Sequence, residues 1–223
     1  DLGMRTYYDE LCDGGNADAL YHDALAALLR MQTRGAPHAL QLPPYEAAVL
    51  QREVVLFTDW FCLRHLQLRL GADELDSLQQ IGAWLAQQAL AQPRVFVHRD
   101  YHSRNLMVCE PRTFPSNPGI LDFQDAVQGP LTYDLVSLLR DCYIAWPQQR
   151  VAGWLEDFRR ELPVCDHAPA IAAEQLHHWF DLMGVQRHLK AIGIFARLWH
   201  RDGKPGYLVH IPRTLGYVQV AAA

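Results

Sequence analysis

The sequence predicts a mainly α-helical fold with a small β insertion in its middle. Apolar residues recur at helical spacing on both sides of that insertion. Within it, Val95-Phe96-Val97, Leu106-Met107-Val108 and Ile120-Leu121 are short β-type runs set apart by polar loops and turn residues. Half of the 223 residues are apolar or aromatic, which suffices to bury a core and argues against disorder.

The first helix is expected from Asn16 to about Arg34, with Leu20, Ala24, Leu25, Leu28 and Leu29 on one face and Asn16 or Asp18 as its cap. Gly35 and Pro37 break it. Pro43-Pro44 then open a second helix reaching roughly to Leu70, whose Leu56, Phe57, Trp60, Phe61 and Leu66 read mainly as core. A third helix runs from Asp73 to about Ala91 and is ended by Pro93. The β-type runs are too short for an independent sheet and should lie against the helices as a patch. Beyond Leu131, helices are expected over 133–144, 148–162, 168–200 with a break near Gly184, and 205–221. The chain thus divides into a helical region at 1–94, a loop-bearing insertion at 95–125 and a second helical region at 126–223.

Twenty basic residues against 25 acidic ones give a net charge of −5, and no run of Lys or Arg marks a nucleic-acid or anionic membrane surface. No apolar stretch approaches the ~20 residues needed to span a bilayer, so no membrane association is expected. The cysteines, Cys12, Cys62, Cys109, Cys142 and Cys165, are odd in number and never spaced C-x-x-C. They read as isolated thiols in a reducing cytoplasm.

The unusual polar residues sit in the insertion. Val97-His98-Arg99-Asp100-Tyr101-His102-Ser103-Arg104-Asn105-Leu106 places a charged loop between two apolar strands, where rigid flanks can present reacting groups. Asp100 and Asn105 are five residues apart, so a curled loop can point both into one cleft. Seventeen residues further on, Asp122 follows the third apolar run. Two carboxylates and an amide oxygen make a hard oxygen set that suits Mg²⁺. Phosphoryl transfer from ATP needs a group that orients a hydroxyl and accepts its proton, and metal that neutralises phosphate charge. Asp100 fits the first role; Asn105 and Asp122 fit as metal ligands. His98 is expected to bond the backbone beside the loop, and His102 and Arg104 either touch substrate or phosphate or form a solvated face. On the second helix, Glu53, Asp59 and Trp60 are candidates for clasping a hydroxylated ring, with ordinary packing the other reading of Trp60.

The form H-R-D-Y-H-S-R-N-L, then I-L-D-F-Q-D-A, then G-P-L-T-Y-D-L-V-S-L-L resembles the aminoglycoside phosphotransferase and choline kinase branch of the kinase superfamily. It is most similar there to bacterial anomeric sugar kinases that act on N-acetylmuramate and N-acetylglucosamine in cell-wall recycling. Asp122-Phe123-Gln124 departs from the D-F-G of protein kinases. The resemblance implies the C-terminal helical lobe of a protein-kinase-like fold, with Asp100 as catalytic base, Asn105 and Asp122 holding Mg²⁺, and Asp134 supporting the catalytic loop. At a helix start, Asp134 also suits the helix dipole.

Kinases of this kind also carry a nucleotide lobe, in which a strand Lys paired with a helix Glu clamps the phosphates. Lys190 and Lys204 are the only lysines here, and no glycine-rich phosphate loop is present. Asp1-Leu2-Gly3 reads as the tail of a hinge strand. The expectation is therefore a lobe of a longer protein, with its N-terminal nucleotide lobe absent and little activity alone. Three alternatives stand beside it: an aminoglycoside or other small-alcohol kinase, a metal-dependent hydrolase using His98, Asp100 and His102, and a non-catalytic binding module.

Overall fold

A computed structural model of the chain describes residues 2–109, 117–162 and 170–221. In chain order the elements are α1 (Tyr7–Cys12), α2 (Ala17–Arg34), α3 (Ala36–Ala39), α4 (Ala47–Leu56), a π-helical stretch (Phe57–His65), α5 (Ala72–Leu90), β1 (Arg94–Val97), β2 (Leu106–Met107), β3 (Gly119–Ile120), β4 (Val127–Pro130), α6 (Tyr133–Leu139), α7 (Gln148–Glu161), α8 (Ala173–Asp202), a 3₁₀ turn (Pro205–His210) and α9 (Ile211–Ala221). The fold is mainly helical, as the sequence predicts. Two compact units interleave in sequence, one built from Asp1–Pro44 and Pro93–His178, the other from Tyr45–Gln92 and Trp179–Ala223.

In the first unit, α2 starts where the Asn16 side chain accepts the Ala19 N–H at 3.2 Å. Its apolar face, Leu20, Tyr21, Ala24, Leu25 and Leu28, is buried, and α7 packs there through Val151, Trp154, Leu155 and Phe158. Tyr21 and Trp154 stack with ring centroids 4.2 Å apart. Every residue of α6 is buried, so that helix has no polar face to show. The strands form two antiparallel pairs, β1 with β4 and β2 with β3. The sequence did not signal β4, because Val127-Gln128-Gly129-Pro130 is short, lacks alternation and carries a Gly and a Pro.

In the second unit, α4 and α5 pack side by side, with Gly82 against Val54. The expected 43–70 helix is not one α-helix. It begins at Ala47, then widens into the π-helical stretch, where the Leu66 N–H reaches back five residues to the Phe61 carbonyl. Where the winding changes, a Cβ on Gly193 would meet the Leu56 carbonyl carbon at 2.4 Å, so only glycine lets α8 come that near.

Three further boundaries differ from expectation. The 133–144 helix stops at Leu139, because Asp141 bends the chain by accepting the Tyr143 N–H at 2.8 Å. No break occurs at Gly184: a mid-helix glycine costs about 1 kcal/mol, and buried Leu176, Phe180, Met183, Leu189, Ile192 and Phe195 hold α8 together. The 205–221 segment opens as a 3₁₀ turn. Cys12, Cys62, Cys109 and Cys142 are free thiols, while Cys165 lies outside the described residues, as do 110–116 and 163–169. No helix among the described residues is long and apolar enough to cross a membrane.

Candidate active site

The loop between β1 and β2 is folded back on itself. The Asp100 carbonyl accepts the His102 N–H at 3.1 Å and the Asn105 Nδ2–H at 3.0 Å, and the Asn105 N–H reaches the His102 carbonyl at 2.9 Å. Residues 100 and 105 therefore sit side by side. The pairing of β2 with β3 sets Leu106 opposite Ile120, and the Leu121 N–H donates to the Asn105 carbonyl at 2.9 Å. Asp122, the next residue, is delivered beside Asn105 by that register. The half-buried Asp100 carboxylate takes no hydrogen bond from the described residues.

Asp122 is exposed, and its φ of +67° is left-handed. Aspartate tolerates that region better than most side chains, yet it remains uncommon and gathers at functional sites. Gln124 Nε2 donates to one Asp122 oxygen at 2.7 Å, and the other takes no hydrogen bond from the described residues. Arg99, just before Asp100, has φ of +78°. The loop is braced from beneath by a wholly buried carboxylate: Asp134 accepts the His98 N–H at 2.7 Å and the Arg99 N–H at 3.0 Å.

Sequence reasoning missed a second brace. Asp141, also wholly buried, accepts the Ser103 N–H at 2.9 Å and the Ser103 hydroxyl at 2.6 Å. The only available signal was an acidic residue within the apolar run that follows Asp134.

His98 is fully buried, with its ring edge-on to Tyr101. Burial holds its imidazole below the usual histidine range, while Asp100, the Leu121 backbone and Asp122 pull the other way. His102 is buried with its ring against Tyr143. Arg104 is half-buried between Tyr8 and Tyr143, its guanidinium carbon 4.9 Å and 3.9 Å from the two ring centroids.

The remaining candidates lie in the other unit. Glu53 is buried, and its oxygens receive the Tyr45 hydroxyl at 2.5 Å and Lys190 Nζ at 3.0 Å. This Lys–Glu pair joins α4 to α8, unlike the strand-to-helix pair of a nucleotide clamp. Asp59 is exposed on the π-helical stretch, and Trp60 is half-buried with Arg64 over its ring at 5.1 Å.

An Asn amide oxygen and an Asp carboxylate oxygen fit Mg²⁺, which takes few protein oxygens and completes its shell with water and phosphate. Because Asn105 Nδ2 is committed to the Asp100 carbonyl, its Oδ1 is the atom left to coordinate. Among the described residues, no three His, Cys, Asp or Glu side chains are gathered as a metal site. The hydrolase alternative built on His98, Asp100 and His102 therefore lacks its ligand cluster.

Residues 8–169 match the model of a family described as "Phosphotransferase enzyme family". The chain is 48% identical over 218 residues to an N-acetylmuramate/N-acetylglucosamine kinase of Pseudomonas putida, covering 98% of this chain and 62% of that protein. A protein of the same name from Pseudomonas aeruginosa is 48% identical over 223 residues, covering 100% of this chain and 64% of that protein. Another from Neisseria meningitidis is 41% identical over 227 residues, covering 98% and 64%. The chain thus spans somewhat less than two thirds of the length of these relatives. Among solved structures, an ADP-bound aminoglycoside phosphotransferase, APH(2'')-Ib, superposes with a TM-score of 0.56 at 16% identity, over 97% of this chain and 68% of that one. An ethanolamine kinase from Plasmodium vivax gives 0.51 at 11% identity, over 81% and 49%. At such identities the likeness concerns the fold.

Proposed function

The chain belongs to the phosphotransferase enzyme family, and from that premise we propose that its protein moves the γ-phosphoryl group of ATP onto a sugar hydroxyl. The acceptors proposed are N-acetylmuramate and N-acetylglucosamine, phosphorylated at the anomeric position, as the names of its relatives and the motif resemblance suggest. The cytoplasm, where ATP and reduced thiols coexist, is the proposed compartment.

One observation carries the reading. The loop fold and the β2–β3 register bring Asp100, Asn105 and Asp122 to neighbouring backbone positions, although 17 residues separate the last two in sequence. The roles follow from what each atom has left to offer. Asp100, whose carboxylate takes no hydrogen bond from the described residues, accepts the proton of the acceptor hydroxyl as the new P–O bond forms and the γ-phosphorus bond to the ADP oxygen breaks. Asn105 Oδ1 and the other oxygen of Asp122 would hold magnesium. When bound, that ion neutralises charge on the β- and γ-phosphates. Asp134 and Asp141 touch neither reactant; they keep the loop from relaxing.

The test is to incubate the gene product as the cell makes it with ATP, Mg²⁺ and a panel of amino sugars, aminoglycosides and ethanolamine. Phosphorus NMR of the product should show an anomeric phosphate on N-acetylmuramate or N-acetylglucosamine. Phosphate only on an aminoglycoside or amino alcohol would refute the acceptor assignment.

A further inference from the structure

We propose that Arg104 is the anion-reading residue of the acceptor site, and that it recognises the lactyl carboxylate distinguishing N-acetylmuramate from N-acetylglucosamine. The inference rests on the sugar-kinase reading above and assigns its specificity to one side chain.

The guanidinium lies between the rings of Tyr8 and Tyr143. A guanidinium held against aromatic faces keeps its N–H groups at the edge of its plane, where they point past the rings. Arg104 makes no ion pair or hydrogen bond to the described residues. Asp9 is close enough to feel its charge but forms no ion pair with it; its Oδ2 accepts the Thr6 backbone N–H at 3.1 Å and hydroxyl at 2.6 Å in the capping box of α1. A half-buried cation with its fork unused is placed to meet an anion from outside the chain.

Both walls of the sandwich are tied to the preceding residue. The Tyr8 N–H donates to the Ser103 carbonyl at 3.0 Å. Tyr143 donates its N–H to Asp141, which also receives the Ser103 N–H and hydroxyl. The aromatic slot is therefore fixed to the loop that carries Asp100, and Arg104 is held without support from the ligand. Such preorganisation is what a specificity residue needs, because little side-chain freedom is then lost on binding. The planar fork also matches a carboxylate in bidentate fashion.

Carboxylate and phosphate share this chemistry, so an acceptor carboxylate and a nucleotide phosphate must be told apart. Wild type, Arg104→Gln and Arg104→Lys are assayed on N-acetylmuramate, its methyl ester and N-acetylglucosamine, with KM for ATP measured in each. Wild type should favour the free acid over the ester. In Arg104→Gln that preference should vanish, and the kcat/KM ratio of N-acetylmuramate to N-acetylglucosamine should fall about tenfold or more, as expected for a lost charged hydrogen bond. Arg104→Lys, which keeps the charge but not the fork, should fall between. An unchanged ratio overturns the proposal. So does an equal loss on both sugars with a raised KM for ATP, which would make Arg104 a phosphate clamp. If the variants fail to fold, wild type alone decides: acid and ester used equally well overturns it. A wild type that phosphorylates neither sugar removes the sugar-kinase reading and this inference with it.

Discussion

Asp134 holds Arg99 in a left-handed backbone conformation, its Oδ1 accepting the Arg99 N–H at 3.0 Å where φ is +78°. The same carboxylate takes the His98 N–H at 2.7 Å. A strained residue next to the proposed base persists because a buried acceptor on another element pins it.

Replacing Asp134 with Asn leaves one acceptor oxygen and sets an NH₂ group against a buried N–H. The expected loss is about 1–3 kcal/mol, together with lower turnover as the loop relaxes. Thermal unfolding and kcat should fall together. Full activity in a less stable protein would separate Asp134 from loop positioning.

Asp100→Asn removes the proposed proton acceptor without changing side-chain size. Turnover should drop about 10²- to 10⁴-fold with the unfolding curve unmoved. Asp122→Asn, which still tolerates a left-handed backbone, should instead raise the Mg²⁺ concentration needed for half-maximal rate. Equal Mg²⁺ titrations would take Asp122 out of the metal site.

Glu53 and Lys190 form a buried pair, their side chains 8% and 13% exposed. Removing one partner takes the counter-charge away from the other, so Glu53→Gln or Lys190→Met alone should cost about 3–5 kcal/mol. The double variant should recover much of that loss in denaturant unfolding. Strictly additive losses would mean that the two groups do not interact.

Glu156 accepts bonds from Arg159 and Arg160, and these hold its carboxyl down to about 2. The folded value lies below the unfolded one, so any stabilisation is complete above the ordinary glutamate range near 4.5 and fades as pH falls toward 2. The pair is partly exposed, so its contribution is small and salt-sensitive. Carbon NMR of the Glu156 carboxyl should place its midpoint near 2 and show it rising in Arg159→Gln. A midpoint that ignores Arg159 would contradict the assigned cause.

Legibility from sequence followed the range of each interaction. The α2 start was readable because Asn16 caps within its own turn, and the α5 bounds matched because apolar spacing and Pro93 are local. Asp100, Asn105 and Asp122 could be proposed from sequence because the loops that carry them have recognisable spacing. The π-helical stretch was not readable; its start at Leu56–Phe57 lies against Gly193 on a helix distant in sequence. Asp141 was invisible for the same reason: its partner Ser103 is 38 residues away. The pairing of Glu53 with Lys190 was not legible, because a carboxylate in sequence does not announce whether a cation is waiting in the core.

By itself, the sequence determined the helical class, the central β insertion, the family, and the trio of oxygen-bearing side chains on its loops. Those are properties of period, turn chemistry and spacing, which a chain carries before it folds. Tertiary structure alone decided which charges are spent inside and which remain for ligands. Glu53 pairs with Lys190, Asp134 and Asp141 accept from backbone donors, and Arg104 lies against two rings with no hydrogen bond or ion pair to the described residues. Burial and pairing are relations between distant residues, and only a folded chain has them.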